Sequence, residues 1–193
     1  LGGAKFSTKI PLIKKFIEKT DYVIIAGAIL NNFYKAAGFE VGKSVVEDGY
    51  DKEIVKLLKN EKILLPVDVV VLRGDKKVTT TPDTLEKGDI ICDIGAESTK
   101  LIANLLGQSK LIVWNGPTGW YEKGFTKATR AIAESVAASK AHAIVGGGDT
   151  GLLVEKTLEK TKNKKVFVST AGGATLDYLG NGTLPGIKAL DQK

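Results

Sequence analysis

The feature that most constrains the fold is an apolar segment that runs into three glycines, from Ala141 to Gly148. Asp149 and Thr150 follow, and the pattern from Thr150 to about Lys160 predicts a helix. A strand, a tight turn and a helix start therefore fall in a short span. Glycine lets the backbone approach a ligand closely, and a helix N-terminus attracts phosphate. Asp149 fits two roles here, a cap of the helix or a ligand of a divalent cation that bridges phosphates.

The same arrangement recurs, because strands and helices alternate along the chain and six predicted strand ends carry glycine. These ends are Gly2-Gly3, Gly27, Gly95, Gly116, Gly146 to Gly148, and Gly172-Gly173. The strands are short continuous apolar runs, as expected when both faces are covered. We therefore predict a doubly wound, Rossmann-like parallel sheet with helices on both faces, a three-layer α/β/α fold. Ligands of such sheets bind at the carboxyl ends of the strands, so the glycines predict a phosphate-binding edge.

Three local segments carry more specific predictions. Ser7 or Thr8 is expected to cap a helix from Lys9 to Lys19. The polar, Thr-rich segment from Arg73 to Gly88 predicts a short hairpin outside the main sheet. The ordered pattern is expected to end at Leu184 to Gly186, and a tail is expected to run from there to Lys193.

Composition favours a single domain over residues 1–193, with 43% hydrophobic and 26% charged residues. The net charge of +6 suits an anionic ligand such as a nucleotide. Basic and aromatic residues do not interleave, which argues against nucleic acid, and no apolar run reaches the length of a membrane span. The single cysteine, Cys92, excludes an internal disulfide and fits a reducing compartment such as the cytoplasm. Because the chain opens on Leu1 without an initiator methionine, we expect it to be part of a longer protein.

Several common site motifs are absent from the sequence. It contains no P-loop pattern and no Gly-x-Gly-x-x-Gly opening a strand–turn–helix unit. It also contains no His/Cys cluster of the kind that binds zinc, and no support for a Ser/His/Asp triad. The residues thus point to phosphate binding without matching the best-known phosphate loops.

Seven segments, in order, resemble the C-terminal, nucleotide-binding half of the phosphoglycerate kinase family. They are Gly2 to Lys5 with Lys9, Ala26 to Ala28, Leu65 to Asp68, Asp93 to Gly95, Val113 to Gly119 with Glu122, Gly146 to Thr150, and Ser169 to Ala174. Together they cover nearly the whole chain. The resemblance implies a glycolytic kinase, a phosphotransferase with a carboxyl group as acceptor, that moves a phosphoryl group between 1,3-bisphosphoglycerate and ADP, giving 3-phosphoglycerate and ATP.

The resemblance also implies a role for each matching residue. Lys5 and Lys9 would reach the nucleotide and the transferring phosphoryl group, although their spacing alone favours a solvated helix face. Catalytic contacts would also come from Gly148, Gly172 and Gly173. The implied nucleotide-binding residues are Gly3, Ala4, Lys5, Lys9, Gly27, Asn115, Pro117, Gly119, Glu122, Gly147, Gly148, Asp149 and Thr150.

Within that set, Gly27 would lie near the adenine and Glu122 would bond the ribose hydroxyls, although an exposed loop acid is an ordinary alternative for Glu122. Asp149 would hold Mg²⁺, the implied cofactor. The partners would be ADP or ATP and an N-terminal lobe that binds 3-phosphoglycerate and is absent here. Nucleic-acid and membrane partners are not expected, and a monomer is.

Two alternatives stay open, a non-catalytic nucleotide-binding module of the same fold and a doubly wound domain for another phosphate ligand. The chain departs from the family pattern at Ala26, Ala28 and Ala171, where glycine is usual. A methyl group at these positions is expected to narrow the adenine cleft or shift the last phosphate turn. Without the other lobe, the chain is expected to bind nucleotide with little or no activity, because two substrates must be held in line.

Overall fold

The computed structural model describes residues 1–161 and 163–191, apart from the side chains of residues 149, 160, 161 and 191. Its strands are β1 (Val23–Ile24), β2 (Ile63–Leu64), β3 (Val69–Arg73), β4 (Lys76–Thr80), β5 (Asp89–Ile94), β6 (Leu111–Asn115), β7 (His142–Gly146) and β8 (Val166–Ser169). Its helices are α1 (Ile10–Lys19), α2 (Ile29–Ala36), α3 (Asp51–Leu58), α4 (Ala96–Gln108), α5 (Lys127–Ala138), α6 (Gly148–Thr161), α7 (Gly172–Asn181) and α8 (Pro185–Asp191).

Strands β6, β7 and β8 form a parallel sheet with β7 in the centre. Their apolar side chains are buried where helices cover them, as at Val145, which is fully buried. A helix follows β6, β7 and β8 in turn, so each connection can cross over the sheet. Helices on both sides of parallel strands confirm the predicted three-layer α/β fold.

The first residues of the chain lie between β1 and β6. Leu1 N donates to Ile24 O (2.7 Å), and Leu1 O accepts from Ala26 N (2.8 Å). On the other side, Gly2 N donates to Asn115 O (2.8 Å). These bonds join the β1–β2 pair to the β6–β7–β8 sheet, although residues 1–5 form no strand of their own.

Strands β3, β4 and β5 differ from the parallel prediction. The hairpin is confirmed in part: it turns at Gly74, whose φ is +60°, but it pairs β3 with β4 and so begins earlier than the predicted segment from Arg73 to Gly88. However, β5 also pairs antiparallel with β3, with an irregularity between Val70 and Val71. The reason lies in the connection: no crossover helix separates β3 from β5, and a parallel pair requires one of a dozen or more residues.

Two further local predictions were wrong, and one strand, β2, was not predicted. The N-cap position of α1 is Lys9, with no side-chain cap, while the Thr8 hydroxyl donates to Lys5 O instead. Ile63–Leu64 is a strand, β2, which pairs parallel with β1. The ordered pattern does not end near Leu184, because α8 follows, although residues 185–190 are all exposed. Among the residues that the structure describes, no helix is long and apolar enough to cross a membrane.

Candidate functional site

The turns that follow β1 and β6 contact the first glycines of the chain. Gly3 N donates to Pro117 O (3.1 Å), and Gly27 N donates to Thr118 O (3.0 Å). Gly27 has a φ of +65°, and a Cβ atom added to it would lie 2.5 Å from Gly3 N. Only glycine fits there. The structure thus brings Gly3, Gly27 and Pro117 together, and their predicted contacts with a nucleotide stay predictions.

Asn115, the last residue of β6, links these turns to those after β7 and β8. Its Nδ2 donates to Gly146 O (2.9 Å) and to Gly172 O (3.3 Å). Its Oδ1 accepts a hydrogen bond from Lys9 Nζ. The side chain is 5% exposed. Asn115 therefore holds three separate turns and one lysine in a fixed relation.

The N-termini of α6 and α7 meet next to Asn115. Gly147 has a φ of +118°, and a Cβ atom added to Gly172 would lie 2.8 Å from both Gly147 N and Gly147 Cα. Helix α6 starts at Gly148 and α7 at Gly172. First-turn N–H groups have no partner within their own helix, so two helix N-termini together form a strong anion-attracting region.

Several predicted residues face open space at this place. A Cβ atom added to Gly3, Gly148 or Gly173 would meet none of the described atoms within 4 Å, its chain neighbours apart. By contrast, Thr150 is buried with 1% exposure, and its hydroxyl has no hydrogen-bond partner among the described atoms. A buried hydroxyl without a partner costs stability, and the predicted contact of Thr150 with phosphate stays a prediction.

Asp149 can be described only by its backbone, because its side chain lies outside the described part of the structure. It is the second residue of α6 and so does not stand at the N-cap position, which goes against the capping alternative. Its predicted metal contact stays a prediction. Among the described side chains, no group of three or more His, Cys, Asp or Glu residues could hold a metal ion.

The two predicted lysines differ in their surroundings. Lys9 is half-buried, and burial lowers the pKa of its ammonium group, an effect that the carboxylate of Asp177 partly offsets. Lys5 and Ala4 are exposed. The Lys5 ammonium makes no hydrogen bond or ion pair with the residues that the structure describes. Lys9 is therefore fixed against Asn115, while Lys5 is free to reach a ligand.

Two predicted nucleotide-binding residues, Gly119 and Glu122, make no direct contact with Asn115 or with the glycine turns around it, as far as the structure describes them. Gly119 lies against Asp93, where an added Cβ atom would come within 2.5 Å of the carboxyl carbon. Glu122 is exposed in a single 3₁₀ turn, Tyr121–Lys123, and its carboxylate has no hydrogen bond with the described residues. Its predicted contact with ribose stays a prediction.

Three residues shape the site from behind, through contacts that the sequence did not predict. Gly2 and Gly116 pack backbone to backbone, since a Cβ atom on Gly116 would lie 2.6 Å from Gly2 O. Asp93 is buried and accepts hydrogen bonds from the Thr118 hydroxyl (2.9 Å) and from Ala128 N (3.3 Å). Burial raises the pKa of Asp93 to about 6, against the opposing effect of these hydrogen bonds. Apart from glycine itself, no local sequence signal marks these contacts.

Two of the alanines that stand where the family usually has glycine, Ala28 and Ala171, have backbone angles that any residue can adopt. Ala28 has a φ of −66° and Ala171 a φ of −89°. Both lie outside the left-handed region that favours glycine. The methyl groups at these two positions therefore cause no backbone strain, and their predicted effect on a bound nucleotide is still to be measured.

Comparison with known proteins gives a consistent result. The family model described as phosphoglycerate kinase matches residues 1–182. Phosphoglycerate kinase from Coxiella burnetii is 40% identical over all of this chain, which covers 51% of that relative. The enzyme from Syntrophobacter fumaroxidans is 39% identical over all of this chain and 50% of its own length. The chain thus spans about half the length of these relatives.

Solved structures agree with the sequence comparison. The structure of phosphoglycerate kinase from Coxiella burnetii has a TM-score of 0.86 and covers 100% of this chain and 51% of that one. The structure from Pyrococcus horikoshii is 26% identical, with a TM-score of 0.80 over 98% of this chain and 50% of that one. On the match over residues 1–182, the chain belongs to the phosphoglycerate kinase family.

Proposed function

We propose that this chain is the nucleotide-binding half of a phosphoglycerate kinase and binds Mg-ADP and Mg-ATP at the edge where its glycine turns meet. One observation carries the proposal: the N-termini of α6 and α7 converge beside Asn115 and Lys9. Two helix N-termini and a lysine provide the positive potential and N–H donors that a polyphosphate requires. The chain's membership of the family supports the same assignment.

The nucleotide would lie across the turns in a single direction. Its phosphates would contact the N–H groups at Gly147, Gly148 and Gly172. The space beside Gly148 is open, and Gly147 and Gly172 pack against each other. Its base and ribose would extend toward Gly27 and Pro117, which the backbone holds next to Gly3. Gly119 and Glu122 would then meet the nucleotide from the loop that follows β6.

Two residues at the start of α6 would hold a magnesium ion. Carboxylate and hydroxyl oxygens are ligands that Mg²⁺ prefers, often together with substrate phosphates. Asp149 would supply the carboxylate at the second position of α6. The buried, unpartnered hydroxyl of Thr150 lies one residue further and would gain a phosphate or hydrated metal partner. A bound magnesium ion would neutralise phosphate charge in the reaction.

Phosphoryl transfer concentrates negative charge on three oxygens, so its catalysis consists mainly of positioning and neutralisation. Lys5 and Lys9 would neutralise that charge, and the N–H groups of Gly172 and Gly173 would hold the moving group. In the proposed reaction this group passes reversibly between 1,3-bisphosphoglycerate and ADP. The phosphoglycerate must be held in line by another part of the enzyme, so this chain by itself is expected to show little or no activity.

Titration with Mg-ADP tests the proposal, using the wild type, Asp149→Ala and Lys5→Ala. We expect saturable binding that Lys5→Ala weakens, and that Asp149→Ala weakens mainly when magnesium is present. Equal affinity for inorganic phosphate or for a dinucleotide would contradict a nucleotide site and favour another phosphate ligand.

A second assay separates a catalytic half from a non-catalytic nucleotide-binding module. The N-terminal half of a phosphoglycerate kinase is added in trans, and ATP formation from 1,3-bisphosphoglycerate and ADP is measured. Recovered activity that Lys9→Ala abolishes would support the kinase. Mg-ADP binding without any recovery, in a mixture where the two halves associate, would favour the module.

A further inference from the structure

Glu47, on the loop between α2 and α3, holds the turn that carries the two phosphate-binding lysines. Its Oε1 accepts from Phe6 N (2.8 Å) and its Oε2 accepts from Ser7 N (3.0 Å). These two N–H groups lie between Lys5 and Lys9 in sequence. A carboxylate that accepts from two successive backbone donors fixes the direction of the chain at that point.

The loop that carries Glu47 is itself fixed. Glu47 N donates to Asn32 Oδ1 (3.2 Å), and Asn32 Nδ2 donates to Glu47 O (2.6 Å). Asn32 lies on α2 and is 2% exposed. The carboxylate is therefore presented from a rigid base, which a positioning role requires.

The turn itself is closed from both sides. Lys9 N donates to Phe6 O (2.8 Å), and the Thr8 hydroxyl donates to Lys5 O (3.0 Å). The Phe6 side chain is fully buried, with its ring edge-to-face against Phe33 and Tyr50 at centroid distances of 5.6 and 5.4 Å. Moving the Phe6 backbone would therefore move Lys5 and Lys9 together.

We infer that Glu47 is a positioning residue, which sets the geometry of Lys5 and Lys9 toward the nucleotide phosphates without touching them. The inference rests on the proposed function. Burial acts against ionisation of Glu47, but the Ser7 and Phe6 hydrogen bonds and the charge of Lys5 outweigh it and lower the pKa of this carboxyl. The carboxylate is thus ionised when it holds the turn.

If Glu47 instead acted through its charge alone, its neutralisation would change the nucleotide affinity in the opposite direction. A carboxylate close to phosphate-binding lysines repels phosphate, so its neutralisation should tighten binding if charge alone mattered. If Glu47 acts by positioning, its neutralisation should weaken binding, because glutamine offers one acceptor oxygen where the carboxylate offers two. The sign of the change separates these two roles.

The test measures Mg-ADP affinity for the wild type, Glu47→Gln and Asp48→Asn. Asp48 is the matched control, since it is the next acid, its side chain is 88% exposed and it pairs with Lys35. We expect Glu47→Gln to bind about fivefold more weakly, the size of a lost helix-start interaction, and Asp48→Asn to stay within about twofold. Equal affinities for the two variants, or tighter binding by Glu47→Gln, would overturn the inference.

A double-mutant cycle excludes a merely structural role. In a Lys9→Ala background the effect of Glu47→Gln should shrink below about twofold, because the positioned group is gone. In a Thr150→Val background, which leaves the turn intact, the fivefold effect should persist. The same factor in both backgrounds would contradict positioning.

If circular dichroism shows that Glu47→Gln does not fold, Glu47→Asp replaces it, since it keeps the charge and shortens the reach. We expect this variant to bind about twofold more weakly than the wild type, and unchanged affinity would overturn the inference. A wild type that binds no Mg-ADP would contradict the proposed function and remove the basis of the inference. Wild-type binding with no effect at Glu47 would contradict the inference alone.

Discussion

The glycines after β7 and β8 and the glycine after β5 look alike in sequence but differ in what they contact. A Cβ atom on Gly172 would meet the backbone of Gly147, whereas one on Gly95 would lie 2.1 Å from Asp68 Oδ2. Parallel strands bring their carboxyl ends to one edge of the sheet, so their turns meet each other. In the antiparallel unit, the turn after β5 meets a carboxylate of the protein instead.

The same electrostatics operates in both regions. Asp68 accepts from Glu97 N (3.1 Å) and Ser98 N (2.7 Å), so an internal anion occupies the N-terminus of α4. At α7 the N-cap residue, Ala171, makes no side-chain hydrogen bond. A glycine turn before a helix therefore serves two ends in this fold: the turn after β5 takes an internal carboxylate, whereas the turn after β8 has no side-chain cap and suits the proposed phosphate.

The largest effect is expected at Gly95. Replacement by alanine would place Cβ against the Asp68 carboxylate and displace it from the start of α4. We expect Gly95→Ala to lower the free energy of unfolding by about 4 kcal/mol, from steric overlap plus lost hydrogen bonds. Denaturant unfolding measures this. Gly107→Ala is the control, because nothing lies within 4 Å of its added Cβ, and it should gain up to about 1 kcal/mol.

If Gly95→Ala were as stable as the wild type, the Asp68 carboxylate at the N-terminus of α4 would not stabilise the fold. The contrast between the turn after β5 and the turns after β7 and β8 would then be contradicted. Nucleotide affinity per folded molecule should be retained, since Gly95 contacts Asp68 and not the cluster around Asn115.

The next effect concerns Asp93, which joins β5 to the loop after β6. Because burial raises its pKa from 3.8 to about 6, the folded state holds this proton more tightly than the unfolded state. The contribution to stability is full below about pH 4 and is lost as pH rises toward 6. The change corresponds to about 3 kcal/mol.

Asp93→Asn removes this titration. The free energy of unfolding of the wild type, minus that of the variant, should therefore fall by about 3 kcal/mol between about pH 4 and pH 6 and stay level above that range. Chemical denaturation at a series of pH values measures the difference. A difference that does not change between pH 4 and pH 6 would show that folding does not raise the pKa of Asp93.

The smallest effect is expected at Thr150. Valine has the same shape and removes the buried hydroxyl without a partner, so Thr150→Val should stabilise the free protein by about 1 kcal/mol while weakening Mg-ADP binding. Thr129 is the matched control, because it is equally buried and its hydroxyl accepts from Thr118 N (3.1 Å). Thr129→Val should destabilise by about 1 kcal/mol or more.

Equal stability changes at the two threonines would contradict a hydroxyl held ready for a ligand at Thr150. Thermal unfolding with and without Mg-ADP gives both readouts, since a ligand that binds the folded state raises the midpoint.

The parallel part of the fold was predictable from local sequence. The apolar segment that runs from Ala141 into the three glycines contains β7, and β6 ends one residue before Gly116, at a predicted strand end. Continuous apolar runs that end in glycine specify both the strand and its exit, which explains this agreement.

The remaining elements depend on information that is not local. β2 has two residues, too few for a periodic pattern, and its partner β1 lies 40 positions earlier, where Val23 pairs with Ile63. The direction of β5 depends on the absence of a crossover helix. Helix α8 escaped prediction because it buries no face, and residues 185–190 are exposed.

The candidate site shows the same division. Glycines at strand ends, such as Gly3, Gly27 and Gly147, could be predicted because each is needed where the backbone turns sharply or packs closely. The hydrogen bond between Lys9 and Asn115 spans 106 positions, and the one between Phe6 and Glu47 spans 41. Contacts of that range follow from the assembled fold and have no local sequence signal.

Backbone amide shifts in an NMR titration with Mg-ADP would show whether the glycine turns form one nucleotide site. Saturable shifts are expected at the amides of Gly3, Gly27, Gly147 and Gly172, with no shift at Gly74 or Gly95. Shifts confined to the β3–β4–β5 unit, or none at the four glycines when the nucleotide is saturating, would contradict a shared nucleotide site at the meeting point of the parallel strands.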